Sequence, residues 1–283
     1  MTTVLLVVNG GRPAAADLAR RATTWLEERG HTVQVPKEDA EATGLQRLAA
    51  GPGLGEGADL AVALGGDGTI LRAVHLAAPH LVPVLGANLG RLAYLSAVEP
   101  EMLTAALARF LVGDHGVEER TMVRATSLAL PEGSRSHLGL NEVVIEKATP
   151  GHTVHLAVSI GGRFFASQVA DALIVATPTG STAYSFSAGG PIVSPHHQAL
   201  LLTPVAPHTP FTHSLVLHPD EAVRVEVLDQ RGAVLTVDGR EVGRLGPGEA
   251  VTCEVAPVRA RLVTLGERDF YGVLKAKFGL ADR

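Results

Sequence analysis

The segment Leu64-Gly65-Gly66-Asp67-Gly68-Thr69 sets one carboxylate among three glycines. Glycines remove side chains, so backbone N–H groups can approach a phosphate. The apolar run Ala61-Val62-Ala63-Leu64 reads as a buried strand, and Thr69 to Ala78 continues with helical spacing. A loop at the carboxyl end of a parallel strand is where open α/β sheets take ligands, and the helix start adds its positive end. No Lys-Ser/Thr follows, so this is not a Walker A loop, and the spacing is not Gly-x-Gly-x-x-Gly. Asp67 would repel an anion by itself. Beside a phosphate it can hold Mg²⁺, or orient and deprotonate an attacking hydroxyl. The alternative is a tight turn, because Asp-Gly favours hairpins; the helical continuation speaks against it.

A second glycine-rich strand end lies at Leu85-Gly86-Ala87-Asn88-Leu89-Gly90-Arg91-Leu92, where Asn88 or Arg91 could contact phosphates; an ordinary strand-to-helix turn explains it as well. Further on, Asn141-Glu142 opens a strand, and Asp171 precedes the apolar strand Ala172 to Ala176. That strand runs into Thr177-Pro178-Thr179-Gly180-Ser181-Thr182-Ala183-Tyr184-Ser185-Phe186-Ser187. Hydroxyls at this density can cap a short helix through Ser181 or Thr182 and offer an aromatic face to a base. The competing reading is a turn whose hydroxyls satisfy one another.

The elements that must position these residues fall into two sets. Val4 to Val8, His31 to Val35, Ala61 to Leu64 and Val82 to Leu85 read as strands. They alternate with helices at Ala14 to Arg29, Thr69 to Ala78 and Pro100 to Phe110, which predicts a parallel, doubly wound sheet. From Arg124 the pattern turns to strands: Thr126 to Leu130, Leu138 to Glu146, His152 to Ile160, Arg163 to Val169, Ala222 to Leu228, Ala233 to Val237, Val251 to Val255 and Arg259 to Leu265. Gly161-Gly162 marks a hairpin, and Asp269 to Phe278 reads as a helix. The expected fold class is α/β plus all-β, a parallel-sheet domain followed by a sandwich-like β-rich domain.

Composition narrows the function. The chain is 46% hydrophobic and 19% charged, enough for a sizeable core. A net charge of −5 argues against a broad nucleic-acid surface. The single cysteine, Cys253, excludes a disulfide framework or cysteine zinc cluster, and it falls on a strand as core. No apolar run reaches the roughly 18 residues of a membrane span. The start lacks a basic region, so a cytoplasmic location without nucleic-acid or membrane partners is expected. His152 and His155 would point to opposite strand faces and form no metal pair. Without paired carboxylates for a protein cage, a divalent metal ion such as Mg²⁺ would be held mainly by nucleotide phosphates.

Taken in order, Gly-Gly-Asp-Gly-Thr at 65–69, Asn141-Glu142, Asp171 and the run from Thr177 to Pro195 resemble the NAD kinase family. Gly-Arg-Leu-Ala-Tyr-Leu at 90–95 sits where that family has a similar segment. The likeness covers most of the chain. The glycine loop is shared with 6-phosphofructokinases and lipid kinases; the hydroxyl run discriminates. The resemblance implies a Rossmann-like domain at 1–120, joined by the carboxyl-terminal stretch 266–283, and a β-rich domain at 121–265. It implies phosphoryl transfer from ATP, or polyphosphate in some members, to the 2′-hydroxyl of the NAD adenosine ribose, giving NADP. Asp67 would be the catalytic base or hydroxyl-orienting carboxylate, with Gly68 beside the dinucleotide. Asn141 and Glu142 would bind NAD, and Asp171 the adenine or ribose side. Thr182, Ala183, Tyr184, Ser185, Phe186 and Ser187 would form the dinucleotide-binding run, with Arg72 and His152 as further contacts. It also implies a homodimer or homotetramer formed through the β domain. Three positions depart from the family pattern: Val169 replaces a basic residue, Ala93-Tyr94 replaces Gly-Phe, and Arg240 replaces Gln. Two other readings stay open, a diacylglycerol-type lipid kinase and a non-catalytic dinucleotide-binding regulator.

Overall fold

A computed structural model describes residues 1–51, 53–90, 94–266 and 269–280. The chain divides into two compact units, Met1–Glu119 with Ala260–Arg283, and Arg120–Arg259. In chain order the first stretch holds β1 (Thr3–Val8), α1 (Pro13–Glu27), β2 (Thr32–Pro36), α2 (Lys37–Thr43), β3 (Ala49–Ala50), β4 (Leu60–Gly65), α3 (Asp67–Ala77), β5 (Val84–Asn88), α4 (Leu103–Leu111) and β6 (Gly116–Arg120). The middle holds β7 (Val123–Thr126), β8 (Ser136–Gly139), β9 (Glu142–Lys147), β10 (Val154–Ile160), β11 (Arg163–Ala170), β12 (Ala172–Ala176), α5 (Tyr184–Ser187), β13 (Leu200–Val205) and β14 (Leu215–Leu217). Then come β15 (Val223–Val227), β16 (Ala233–Val237), β17 (Arg240–Leu245), β18 (Ala250–Val255), β19 (Ala260–Thr264) and α6 (Phe270–Phe278).

The first unit is built on a seven-stranded sheet ordered β3-β2-β1-β4-β5-β19-β6. Its pairings β2–β1, β1–β4, β4–β5 and β5–β19 are parallel. Central parallel strands are covered on both faces, which is why β4 is buried at every position. Helix α1 starts on Pro13 and turns Ala15, Leu18, Ala19, Ala22 and Leu26 into the core, the i, i+3, i+4 stripe of an amphipathic helix. The strand predicted at 259–265 belongs here: Leu262 pairs in parallel with Val84, so the chain returns to the first unit at Ala260, before residue 266. Nothing local separates this strand from the antiparallel ones before it, since its partner is distant in sequence.

The second unit is a sandwich of two six-stranded sheets, β11-β10-β15-β18-β7-β8 and β14-β13-β12-β9-β16-β17. One core joins them, with Leu156, Val225 and Val251 from one sheet and Ile145, Val175 and Leu235 from the other. Gly161 and Gly162 both take positive φ, 56° and 77°, and close the β10–β11 hairpin. Three expectations shift. The strand expected at Thr126 to Leu130 ends at Thr126, because the Ser127 hydroxyl donates to the Ala250 carbonyl and accepts from the Ala129 N–H. The run Leu138 to Glu146 breaks into β8 and β9 around Asn141. His152 lies before β10 in a turn closed by its N–H to Thr149, so the alternation assigned to His152 and His155 does not apply. Cys253 is fully buried, and burial pushes its thiol up to about 12.

Candidate active site

In the first unit, β4 ends at Gly65 and Gly66 caps α3, so Asp67 and Gly68 occupy the first helical turn. The helix was expected to begin at Thr69. A carboxylate at its first residue faces the positive end of the helix, which extends it by two residues. Gly65 is required: a Cβ there would stand 2.2 Å from Thr69 Oγ1. Asp67 is half-buried, and its oxygens accept N–H bonds from Tyr94 and Leu95, each at 3.1 Å. The segment after β5 therefore folds back over the glycine turn. The Leu89 N–H reaches the Gly65 carbonyl at 3.0 Å, and Asn88 accepts the Gly90 N–H. Arg91 and Ala93 lie outside the described residues.

Arg72, a proposed dinucleotide contact, already has protein partners. Its guanidinium donates to the Val8 carbonyl at 2.8 Å and to Asp39. Asp39 is buried, also accepts the Val8 N–H at 2.7 Å, and has its carboxyl raised chiefly by that burial. This pair ties α2 and α3 to the end of β1. Arg12 donates to the Leu89 carbonyl. Sequence reasoning passed over Lys277 of α6, whose ammonium lies 3.5 Å from the centre of the Tyr94 ring.

The second unit gathers most of the remaining candidates around the start of β9. β12 pairs with β9 in antiparallel register, Ala176 opposite Glu142, which places the run after β12 beside Asn141. The Thr177 N–H donates to the Asn141 carbonyl at 2.8 Å and its hydroxyl to the Leu140 carbonyl at 2.6 Å. Gly180 packs so closely that a Cβ would lie 2.0 Å from the Asn141 carbonyl oxygen. On the other side, the Asp238 carboxylate accepts three successive N–H bonds, from Leu140, Asn141 and Glu142, at 2.7 to 3.0 Å. Those bonds replace sheet ladder bonds and explain the break between β8 and β9. Asp238 itself sits at φ 47°, a turn position where Asp is tolerated. The Asp-Gly dipeptide ahead of β17 is the signal that could have found it.

Glu142 is 7% exposed and its Oε2 has no partner. Burial, then the nearby charge of Asp238, pushes its carboxyl up to about 8, opposed by the Tyr184 backbone N–H. Asp171 is paired with Lys147 at 2.7 Å, so a cation from the neighbouring strand stands by it where Val169 carries none. Tyr184 is 42% exposed, with its phenol raised by burial and by Glu146 and Asp171. Phe186 and Ser187 are exposed, and Thr182 and Ala183 half-buried, with the Thr182 hydroxyl on the Thr179 carbonyl. Ser185 is different: it is fully buried with its hydroxyl 3.0 Å from that of Thr203, an interior position. Ser181 is not a helix cap; it donates to the Pro178 carbonyl and accepts the Val193 N–H, stapling the two ends of the run. His152 is exposed, with its ring 3.3 Å from the Arg231 guanidinium. Arg240 is exposed at the start of β17. Among the described residues no group of three or more His, Cys, Asp or Glu could hold a metal, and no helix is long and apolar enough to cross a membrane.

A parallel α/β unit with a carboxylate at a glycine-rich helix start, and a β-sandwich unit carrying a hydroxyl-rich strand end, suit a nucleotide-handling phosphotransferase. Residues 4–115 match the ATP-NAD kinase N-terminal domain and residues 140–265 the ATP-NAD kinase C-terminal domain. The chain belongs to the NAD kinase family. It is 41% identical to an NAD kinase of Heliobacterium modesticaldum, over 98% of both chains. It is 42% identical to one of Symbiobacterium thermophilum, over 98% of this chain and 99% of that one. A solved yeast NADH kinase complexed with NADH superimposes with a TM-score of 0.88 at 25% identity, over 100% of this chain and 89% of that one. An Archaeoglobus fulgidus NAD kinase in complex with ATP gives 0.71 at 25%, over 99% of each. The lipid-kinase reading gives way to these relatives.

Proposed function

We propose that Asp67 handles the acceptor hydroxyl while the chain moves the terminal phosphoryl group of ATP to the 2′-oxygen of the NAD adenosine ribose. The observation that carries this reading is the position of Asp67 at the start of α3, fixed by two backbone N–H bonds beside glycine amides. The ribose oxygen forms a bond to the γ-phosphorus, the bond from that phosphorus to the ADP oxygen breaks, and Asp67 accepts the hydroxyl proton. A ribose hydroxyl is a poor nucleophile, so orientation and a nearby proton acceptor supply much of the rate. Asn141, Glu142, Asp171, Thr182, Ala183, Tyr184, Phe186 and Ser187 form the dinucleotide-binding set of the second unit, and Gly68 contributes from the glycine turn of the first. Ser185 supports this set from the interior.

The donor set at the glycine turn is one carboxylate, Asp67, which suits Mg²⁺ carried by the nucleotide's phosphates and leaves no protein cage to build. Bound there, the metal would neutralise charge on the donor. The active protein is a homodimer or homotetramer and works in the cytoplasm, where a chain with one buried thiol needs no disulfide.

The test is a matrix of ATP, other nucleoside triphosphates and polyphosphate against NAD and NADH, run with wild type and Asp67→Asn. NADP formation from ATP and NAD is expected, falling by about 10²- to 10⁴-fold in the variant with its melting curve kept. Full activity in Asp67→Asn would remove that role, and dinucleotide binding without turnover would make the chain a regulator.

A further inference from the structure

A glycine turn that receives a triphosphate has an electrostatic problem when its own side chain is a carboxylate. In P-loops a lysine directly after the glycines reaches the β- and γ-phosphates. Here that place is Thr69, which is buried. Among the described residues, two arginines of this region are already engaged, Arg72 by Asp39 and the Val8 carbonyl, Arg12 by the Leu89 carbonyl.

The chain has four lysines, and Lys277 is brought to this place from the far end of the sequence. Its ammonium rests 3.5 Å from the centre of the Tyr94 ring, and the N–H of that same Tyr94 donates to Asp67. Among the described residues, no carboxylate stands within ion-pair distance of Lys277. Helix α6 is fixed at both ends, by Asp269 accepting the Gly272 N–H at 2.7 Å and by Gly279 in the left-handed region at φ 60°. A cation parked on an aromatic face keeps donors free for an anion.

We propose that Lys277 is a phosphate-binding residue of the phosphoryl-transfer site, taking the terminal phosphate of the nucleoside triphosphate beside Asp67. This rests on the kinase reading above. Burial lowers the Lys277 ammonium and the charge of Asp67 opposes that, so an arriving phosphate would further favour the protonated form.

Steady-state kinetics of wild type, Lys277→Met and Lys277→Arg with ATP, Mg²⁺ and NAD test it. In Lys277→Met, kcat/KM for ATP should fall by about 10- to 100-fold. The KM for NAD should stay within about twofold, and Lys277→Arg should recover much of the loss, a split that loosening of α6 alone would not produce. Inorganic tripolyphosphate should raise the melting temperature of wild type and not of Lys277→Met. Unchanged ATP kinetics in Lys277→Met, or a rise confined to the KM for NAD, would overturn the assignment. A wild type that makes no NADP from any donor would sink the kinase reading instead, and the tripolyphosphate shift would still decide whether Lys277 holds an anion.

Discussion

Two carboxylates of this chain sit in opposite environments. Asp67 is half-buried and bonded to backbone N–H groups, the surroundings of a working carboxylate. Glu142 is enclosed, with one oxygen unpartnered and its carboxyl raised to about 8. Below its ordinary value of 4.5 the group is protonated in folded and unfolded chains alike, and it adds no pH dependence. Between 4.5 and about 8 the unfolded chain ionises while the folded one stays neutral, so stability falls as pH rises, and above that the loss is complete. Glu142→Gln removes the titration. The variant should melt at nearly the wild-type temperature in acid and increasingly above it toward pH 8.5, the gain being on the order of a few kcal/mol. Parallel melting curves at every pH would show that Glu142 ionises normally.

Backbone fit holds one loop from two sides. Asp238 takes its N–H groups and the Thr177–Gly180 turn takes its carbonyls, which leaves the Asn141-Glu142 corner little freedom. Gly180 is the tightest point, since its neighbour is backbone and cannot swing away. Gly180→Ala should therefore destabilise the protein by about 1–3 kcal/mol and displace Asn141. The KM for NAD should rise about tenfold or more while the KM for ATP changes little. Equal NAD kinetics in the variant would show that this corner does not touch the dinucleotide. Arg72 and Asp39 act similarly in the other unit, fixing the helix whose first residue is Asp67.

Self-association turns on β11. It is the outer strand of its sheet, and a bulge at Phe165 interrupts its pairing, Val158 facing Ala166 and Ser159 facing Phe164. The extra residue leaves both rings outward, Phe164 67% and Phe165 40% exposed, with Phe165 edge-on to Phe211. An exposed aromatic edge strand invites pairing unless another surface covers it. Sedimentation at micromolar concentration should give a dimer or larger species, and Phe164→Ser with Phe165→Ser should shift it toward monomer. A wild-type monomer with full activity would dismiss the assembly.

Local pattern carried a good deal of this. Continuous apolar runs marked β1 and β4, the period of α1 was readable, and Gly161-Gly162 announced its hairpin. The Gly-Gly-Asp-Gly turn, Asn141-Glu142 and the hydroxyl run were legible because their chemistry depends on residue type and near neighbours. Their surroundings were not. Ser181 and Ser185 look like their exposed neighbours in sequence, yet Val193 and Thr203 claim them. Arg72 is turned by Asp39, and Glu142 is raised by burial no sequence window contains. Residue types and their order along the chain were enough to name the groups that could do the chemistry. Tertiary packing alone set the pairing of β19 with β5, the hold of Asp238 on the Asn141 corner, and the place of Lys277 on the Tyr94 ring. These are contacts between segments far apart along the chain, set by the packing of whole elements, so nothing local encodes them.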